Sequence, residues 1–301
     1  MDDRDRGPVN RRLCVFAHFD RQNVVDEYVH YYLSSLRPLV TTMVFVSTAR
    51  LGADDLARLN DTCDRTLVRE NAGYDFGSWQ AGLDACADAF DYDEVVLCND
   101  SVYGPLFPLE DMFGRMEEAA CDFWGITEST AIAYHLQSYF LVFKKRALRS
   151  PVLKAFWTRL GAEKDKEAVI TKYEVGLTQD LVKAGYTPAA YAPVEMPVLV
   201  SLHRQVLSKL RRKKSPVNLV LKFLLRNAAF RKKGVNPTHF FWKELIRDCR
   251  MPFVKVELLR DNPRRVDTGD FESFLQSRSA YPVHLIKGHL ERMWYNSPTF
   301  R

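Results

Sequence analysis

Two short segments hold the residue types from which a polar binding or catalytic site can be built. Arg69–Trp79 reads RENAGYDFGSW and Val95–Pro105 reads VVLCNDSVYGP. Each starts where a hydrophobic strand is expected to end, then spends several residues on Gly, Asn, Asp, Tyr and Ser, which build tight polar turns rather than cores. In the first, Gly73 and Gly77 bracket Tyr74-Asp75-Phe76, and glycine permits close approach of a ligand to the backbone. Asn71 and Asp75 can hold sugar or ribose hydroxyls, and Tyr74 offers a stacking face. The plainer reading is a strand-to-helix turn with Asp75 as the N-cap. In the second, Asn99-Asp100-Ser101 directly follows a strand. A carboxylate at Asp100 can meet a hard cation, Mg or Mn, and through it a diphosphate whose charge it would offset. The loop has no D-x-D, so it offers one carboxylate and leaves metal dependence open. The same residues also suit an Asx-turn closed by Gly104-Pro105.

Three further places carry hydrogen-bonding or charged groups. His135, Gln137 and Ser138 lead into the strand Tyr139–Phe143, where they could contact a polyol or simply serve the fold. Glu174 falls inside a predicted helix whose periodicity puts it on either face, with a surface carboxylate the bland expectation. His203–Lys233 interleaves apolar residues such as Leu207, Leu210, Val220 and Leu224 with basic ones, a pattern that suits an anionic membrane surface over residues 204–233. A solvated basic face packed on the sheet is the alternative.

The elements that must position these groups alternate along the chain. Strands are expected at Leu13–Asp20, Val40–Ser47, Thr66–Val68 and Glu94–Cys98, with helices at Val24–Leu36, Asp54–Leu59 and Ser78–Phe90 between them. Leu109–Ala119, Pro151–Leu160 and Ala168–Ala184 follow as helices, the last closed by Gly185 as a C-cap. Cys121–Ile126 and Gln137–Phe143 are further strands, His239–Asp248 is helical, and Phe253–Leu259 is extended. This predicts an α/β fold with a mostly parallel sheet flanked by helices. Such a sheet binds ligands beyond the carboxyl ends of its strands, where both polar turns fall. A nucleotide sugar would fit there. We divide the chain into a disordered tail over 1–12, a donor-binding and catalytic domain over 13–200, and a basic, mainly helical extension over 201–301 that completes the fold.

Bulk properties narrow the class. The chain has 301 residues, 47% hydrophobic and 27% charged, with a formal net charge of +5. Between Glu195 and Glu244 there is no acidic residue but a dozen Lys and Arg, so the rest of the chain sums to −7. A nucleic-acid coat would not be so local, and none of the recognised nucleic-acid modules is visible. No apolar run is long enough for a spanning helix, and the polar start MDDRDRGPVNRR does not look like a secretory signal. The six cysteines show neither C-x-x-C nor zinc spacing, and reduced core thiols of a cytoplasmic protein are expected.

Taken together, the motifs resemble the rhamnan synthesis protein F family of bacterial polysaccharide glycosyltransferases. The matching residues are Arg69-Glu70-Asn71 through Trp79, Leu97 through Pro105, His135 through Phe140, Tyr173-Glu174, Asn236-Pro237-Thr238-His239 with Trp242, Pro252 through Val256, and Leu258-Leu259-Arg260. The resemblance implies a GT-A-like glycosyltransferase that adds sugar, with dTDP-L-rhamnose as the candidate donor, to a cell-surface polysaccharide. Its acceptor would be a lipid-linked glycan at the inner face of the cytoplasmic membrane, with the protein peripheral there. On that view Glu174 is the base, with Asp180 in reserve, and Asp100 holds a cation or the donor. Asn71, Tyr74, Asp75, Asn99 and Ser101 surround the donor, and Lys255 balances leaving-group charge. His135, Gln137, Ser138 and His239 contact the acceptor. The rival reading is a non-catalytic glycan- or nucleotide-binding component of a polysaccharide assembly system.

Overall fold

The computed structural model describes residues 10–161, 163, 165–193 and 236–295. The basic segment 204–233 and most of the expected tail lie outside the described residues. The first half alternates as expected: β1 (Arg12–His18), α1 (Glu27–Leu36), β2 (Thr42–Ser47), α2 (Ala53–Thr62), β3 (Arg65–Val68), α3 (Tyr74–Asp84) and β4 (Glu94–Asn99). Next come β5 (Val102–Tyr103), α4 (Leu109–Glu117), β6 (Phe123–Gly125), β7 (Glu128–Ser129), β8 (His135–Leu136) and β9 (Phe140–Lys144). Then follow α5 (Lys145–Leu148), α6 (Pro151–Thr158), α7 (Lys166–Val169), α8 (Gly176–Lys183), β10 (Pro188–Ala190) and β11 (Val254–Lys255).

Seven strands form one sheet in the order β10-β6-β9-β4-β1-β2-β3. Neighbours pair in parallel except around β9, which runs against both β4 and β6. This is the mostly parallel α/β arrangement the sequence predicts. Burial explains it. β1 is buried along its whole length, as a central strand covered on both faces must be. Its Leu13, Val15 and Ala17 pack with Trp79 and Leu83 of α3 and with Phe156 and Leu181. Its Cys14 and Phe16 pack with Tyr32 of α1 and with Phe253, Leu245 and Ile286 from the C-terminal part. The region after residue 235 therefore completes one of the two cores.

The chain order reverses between β1 and β4: β2 and β3 lie to one side of β1, and β4 to the other. A crevice beyond the carboxyl ends opens at such a switch point, and Phe19 and Asp100 stand there.

Three departures from expectation bear on the site. Helix α3 begins at Tyr74 rather than Ser78, because Gly73 caps it in the left-handed region at φ 75°. Asp75 is thus not the N-cap but sits in the first turn, and Phe76 and Trp79 become buried at helical spacing. Gly77 belongs to this turn because a Cβ there would lie 2.2 Å from the Ala72 carbonyl and 2.9 Å from the Arg69 guanidinium. Phe253–Leu259 is extended only at Val254–Lys255, and Val256–Arg260 turns helical to bury Val256, Leu258 and Leu259. The helix expected over 168–184 widens to π geometry at Ile170–Val175. Such bulges recur at functional sites, and this one carries Glu174.

Candidate active site

A chain of side-chain hydrogen bonds runs across the carboxyl edge of the sheet. The antiparallel pairing of β11 with β5 sets Lys255 opposite Val102, and Lys255 Nζ donates to Ser101 Oγ at 3.2 Å. Ser101 Oγ donates to Asn99 Oδ1 at 2.6 Å, and Asn99 Nδ2 donates to Asp75 Oδ2 at 2.8 Å. The two polar turns therefore meet. Asn99 is buried and must accept on one side and donate on the other, which an aspartate could not do. A carboxylate at 99 would also face Asp75.

Asp100 is held from the switch-point side. Its Oδ2 accepts from the Phe19 amide at 2.9 Å, and its carbonyl accepts from Tyr28 Oη at 3.0 Å. His18 Nε2 lies 3.8 Å from the same Oδ2, while His18 Nδ1 is 2.9 Å from Ser47 Oγ. Burial lowers the His18 pKa to about 4, so this ring is neutral near pH 7. Burial first, and the Asp75 charge second, push the Asp100 carboxyl well above its usual range. Burial also raises Asp75, against the opposing hydrogen bond from Asn99. Two desolvated carboxylates that repel one another suit a bound cation.

A second cluster stands on the π stretch. Glu174 Oε2 accepts from the Ser138 amide at 2.9 Å and from the Ser138 hydroxyl, and Oε1 lies 3.4 Å from His135 Nε2. Burial pushes the Glu174 pKa up, but the His135 and Ser138 hydrogen bonds outweigh it and the net shift is downward. For His135 burial is the largest influence and lowers the pKa, but the bonds to Glu174 and the Ala133 carbonyl, with the Glu174 charge, together outweigh it and the net shift is upward. The clusters share one electrostatic space. Burial lowers the Lys255 pKa to about 8, opposed by the charges of Glu174 and Asp75. The Lys255 ammonium also stands 4.0 Å from the Tyr139 ring centroid.

Not every expected residue joins these clusters. Tyr74 and Asn71 are exposed on the Arg69 turn, which Arg69 braces by donating to the Ala72 carbonyl at 2.6 Å and to Ser78 Oγ at 3.2 Å. The side chain of Gln137 is buried and turned to the fold: its Oε1 accepts from Thr127 at 2.7 Å and its Nε2 donates to Asn236 at 3.2 Å. His239 is buried, with its Nε2 3.7 Å from Glu257. Asp180 is ion-paired with Arg159. The sequence reading missed His18, Phe19 and Tyr28. A polar residue ending a strongly apolar strand, as His18 does, was the available signal.

Among the described residues, Asp20, Asp26 and His289 are the one group of three metal-ligating side chains within 4.8 Å. That cradle is filled by the Arg292 guanidinium. Asp100 and Asp75 would hold a cation only together with an anionic ligand, as Mg sites commonly do.

Residues 43–194 match the family described as rhamnan synthesis protein F. The virulence protein VirA of Vibrio anguillarum is 31% identical over 262 residues, spanning 84% of this chain and 81% of that protein. An uncharacterized protein of Sinorhizobium fredii, y4gN, is 26% identical over 197 residues, 64% of this chain and 51% of that one. Glucosyl-3-phosphoglycerate synthase from Mycobacterium tuberculosis aligns at TM-score 0.33 and 12% identity, over 46% of this chain and 57% of that structure. For 4-diphosphocytidyl-2C-methyl-D-erythritol synthase the TM-score is 0.38 at 11% identity, over 59% and 87%. With the family match covering half of the chain and the Vibrio relative aligned along most of both proteins, the chain belongs to the rhamnan synthesis protein F family.

Proposed function

We propose that this protein is a glycosyltransferase that moves a sugar from a nucleotide donor, with dTDP-L-rhamnose the first candidate, to a growing cell-surface polysaccharide. The observation that carries the reading is the Lys255–Ser101–Asn99–Asp75 chain, with Asp100 and Glu174 beside it, at the switch point of the sheet. A nucleotide sugar presents there a diphosphate that needs cationic and N–H partners and hydroxyls that need carboxylates. Family membership supports the same class.

The reaction would be a single displacement with inversion. Glu174 accepts the proton of the acceptor hydroxyl as the bond from that oxygen to the anomeric carbon forms. The bond from the anomeric carbon to the diphosphate oxygen breaks, and Lys255 meets the charge that develops on the leaving group. Asp100, with Asp75, would hold a divalent cation against the diphosphate, and such an ion supplies further neutralisation of that charge. His135 and Ser138 fix Glu174 on the acceptor side. The acceptor would be a lipid-linked glycan, with residues 204–233 on an anionic bilayer at the cytoplasmic face; none of the described helices is long and apolar enough to cross one. Equal flotation with anionic and neutral vesicles would reject that contact.

A panel of nucleotide sugars, each with and without Mn2+, tests the core of the reading. A true donor at a hundred times its Kd should stabilise the fold by about 2.7 kcal/mol, seen as a rise in Tm, and should be turned over with a lipid-linked acceptor. No stabilisation by any member rejects the reading. Binding without hydrolysis or transfer would instead favour a non-catalytic binding component. The Lys255 pKa of about 8 adds a pH signature: as the ammonium loses its proton above pH 8, donor KM should rise. Lys255→Met should show a high KM that no longer varies there, and persistence of the limb in that variant would exclude Lys255 from donor binding.

A further inference from the structure

The loop joining β1 to α1 is held by a residue from the far end of the chain. Arg292 lies in the C-terminal helix His284–Tyr295. Its Nε donates to Asp26 Oδ1 at 3.0 Å, and its Nη2 reaches Asp20 Oδ2 at 2.7 Å and Asp26 Oδ2. Its Nη1 donates to Gln22 Oε1 at 2.6 Å and to Asp20 Oδ1 at 3.3 Å. Five N–H donors are thus spent on three side chains of one short loop. Asp20 in turn accepts from the amides of Gln22 at 2.8 Å and Val24 at 3.2 Å, so fixing its carboxylate fixes the backbone. The residue before Asp20 is Phe19, whose amide holds the Asp100 carboxylate. The same helix supports the Asp100 turn from behind: His289 Nδ1 is 2.6 Å from Tyr103 Oη, and both rings pack on Tyr28, which donates to the Asp100 carbonyl.

We infer that Arg292 is a positioning residue for Asp100, acting through the Asp20–Asp26 loop and the Phe19 amide. The planar fork is what the task needs, since two carboxylates and an amide oxygen must be gripped in one plane, and an ammonium cannot span them. In this arrangement the C-terminal helix sets the orientation of the donor-side carboxylate. The inference rests on Asp100 facing the donor.

The test uses the full chain with Arg292→Ala and Arg292→Lys. Arg292→Ala should speed hydrogen exchange of the Phe19 amide about tenfold or more while Val15 and Val96 in the sheet keep their protection. It should raise donor KM and the Mn2+ midpoint about tenfold with kcat at saturating donor and Mn2+ within about threefold, the split expected when Asp100 still holds its ligand once bound but is less well placed to capture it. Added guanidinium ion should restore much of the affinity, and Arg292→Lys should recover only part. If Arg292→Ala does not fold, Gln22→Ala with Asp26→Asn weakens the same grip and should give the same split. Unchanged Phe19 exchange in a folded variant, or kcat and KM worsening together without rescue, overturns the inference. If the wild type binds no donor or Mn2+, the donor reading fails, while the Phe19 exchange still reports on the grip.

Discussion

Asp100→Asn should cut sugar transfer about a hundred- to a thousandfold, the usual cost of losing one source of transition-state charge stabilisation, here the cation that Asp100 would hold against the diphosphate, and should at the same time raise the melting temperature at pH 7.5. The two effects share one cause. Asp100 and Asp75 both have pKa values raised by burial, and Asp100 is raised further by its neighbour's charge. A carboxyl whose folded pKa lies above its unfolded value contributes its stability below the ordinary carboxylate range and loses it as pH rises through the folded value. At pH 7.5 the charge is therefore a burden on the fold, and asparagine lifts it while keeping an oxygen for the Phe19 amide. Divalent cation in the presence of the nucleotide diphosphate should stabilise the wild type and have little effect on Asp100→Asn. Thermal unfolding with and without Mn2+, alongside a transfer assay, checks all of this. A variant that transfers sugar at the wild-type rate, or one that is less stable at pH 7.5 but not at pH 4, would contradict the electrostatic argument.

What could be read from the sequence depended on range. The apolar run Leu13–Ala17 ends in His18-Phe19-Asp20, which is legible as a buried strand reaching a site edge because burial on both faces demands that pattern. The convergence of the Arg69 and Asn99 turns also followed from both lying at strand carboxyl ends. The start of α3 did not, because the left-handed Gly73 lets the helix begin inside what reads as a loop. The meaning of Asn99 was hidden as well, since an amide is required only once Asp75 is known to lie 2.8 Å away. Gln137 and Ser138 are adjacent in sequence yet one faces the fold and the other Glu174, a difference between neighbours that composition does not reveal. Arg292 and Asp26 are separated by 266 positions, and no local pattern announces such a pairing.

Glu174→Gln should lower turnover about a hundred- to ten-thousandfold, the range for loss of a general base, while donor affinity changes little. The surroundings of His135 make the expectation more specific. Its Nδ1 lies 2.8 Å from the Ala133 carbonyl and its Nε2 3.4 Å from Glu174, so both ring nitrogens face acceptors and both must carry hydrogen. Below the raised His135 pKa and above the lowered Glu174 pKa the pair is an imidazolium and a carboxylate. The raised His135 pKa means that its contribution to stability is present below the ordinary histidine range and lost as pH rises through the folded value. The lowered Glu174 pKa means the opposite: its contribution is present above the carboxylate range and lost as pH falls through the folded value. Between these limits the pair is intact and the base is ionised, ready to take a proton. Glutamine can still accept from Ser138 through its oxygen, which turns its NH2 toward His135 and forces that ring to give up its second proton. The cost in unfolding free energy at pH 6 should be about 1–3 kcal/mol, and it should shrink as pH rises past the His135 pKa, where the wild type loses the pair too. Urea unfolding across that range, with the imidazole signals followed by NMR, separates this from a simple packing defect. Wild-type turnover in Glu174→Gln would move the base role to Asp75, whose raised pKa makes it the stronger proton acceptor of the two.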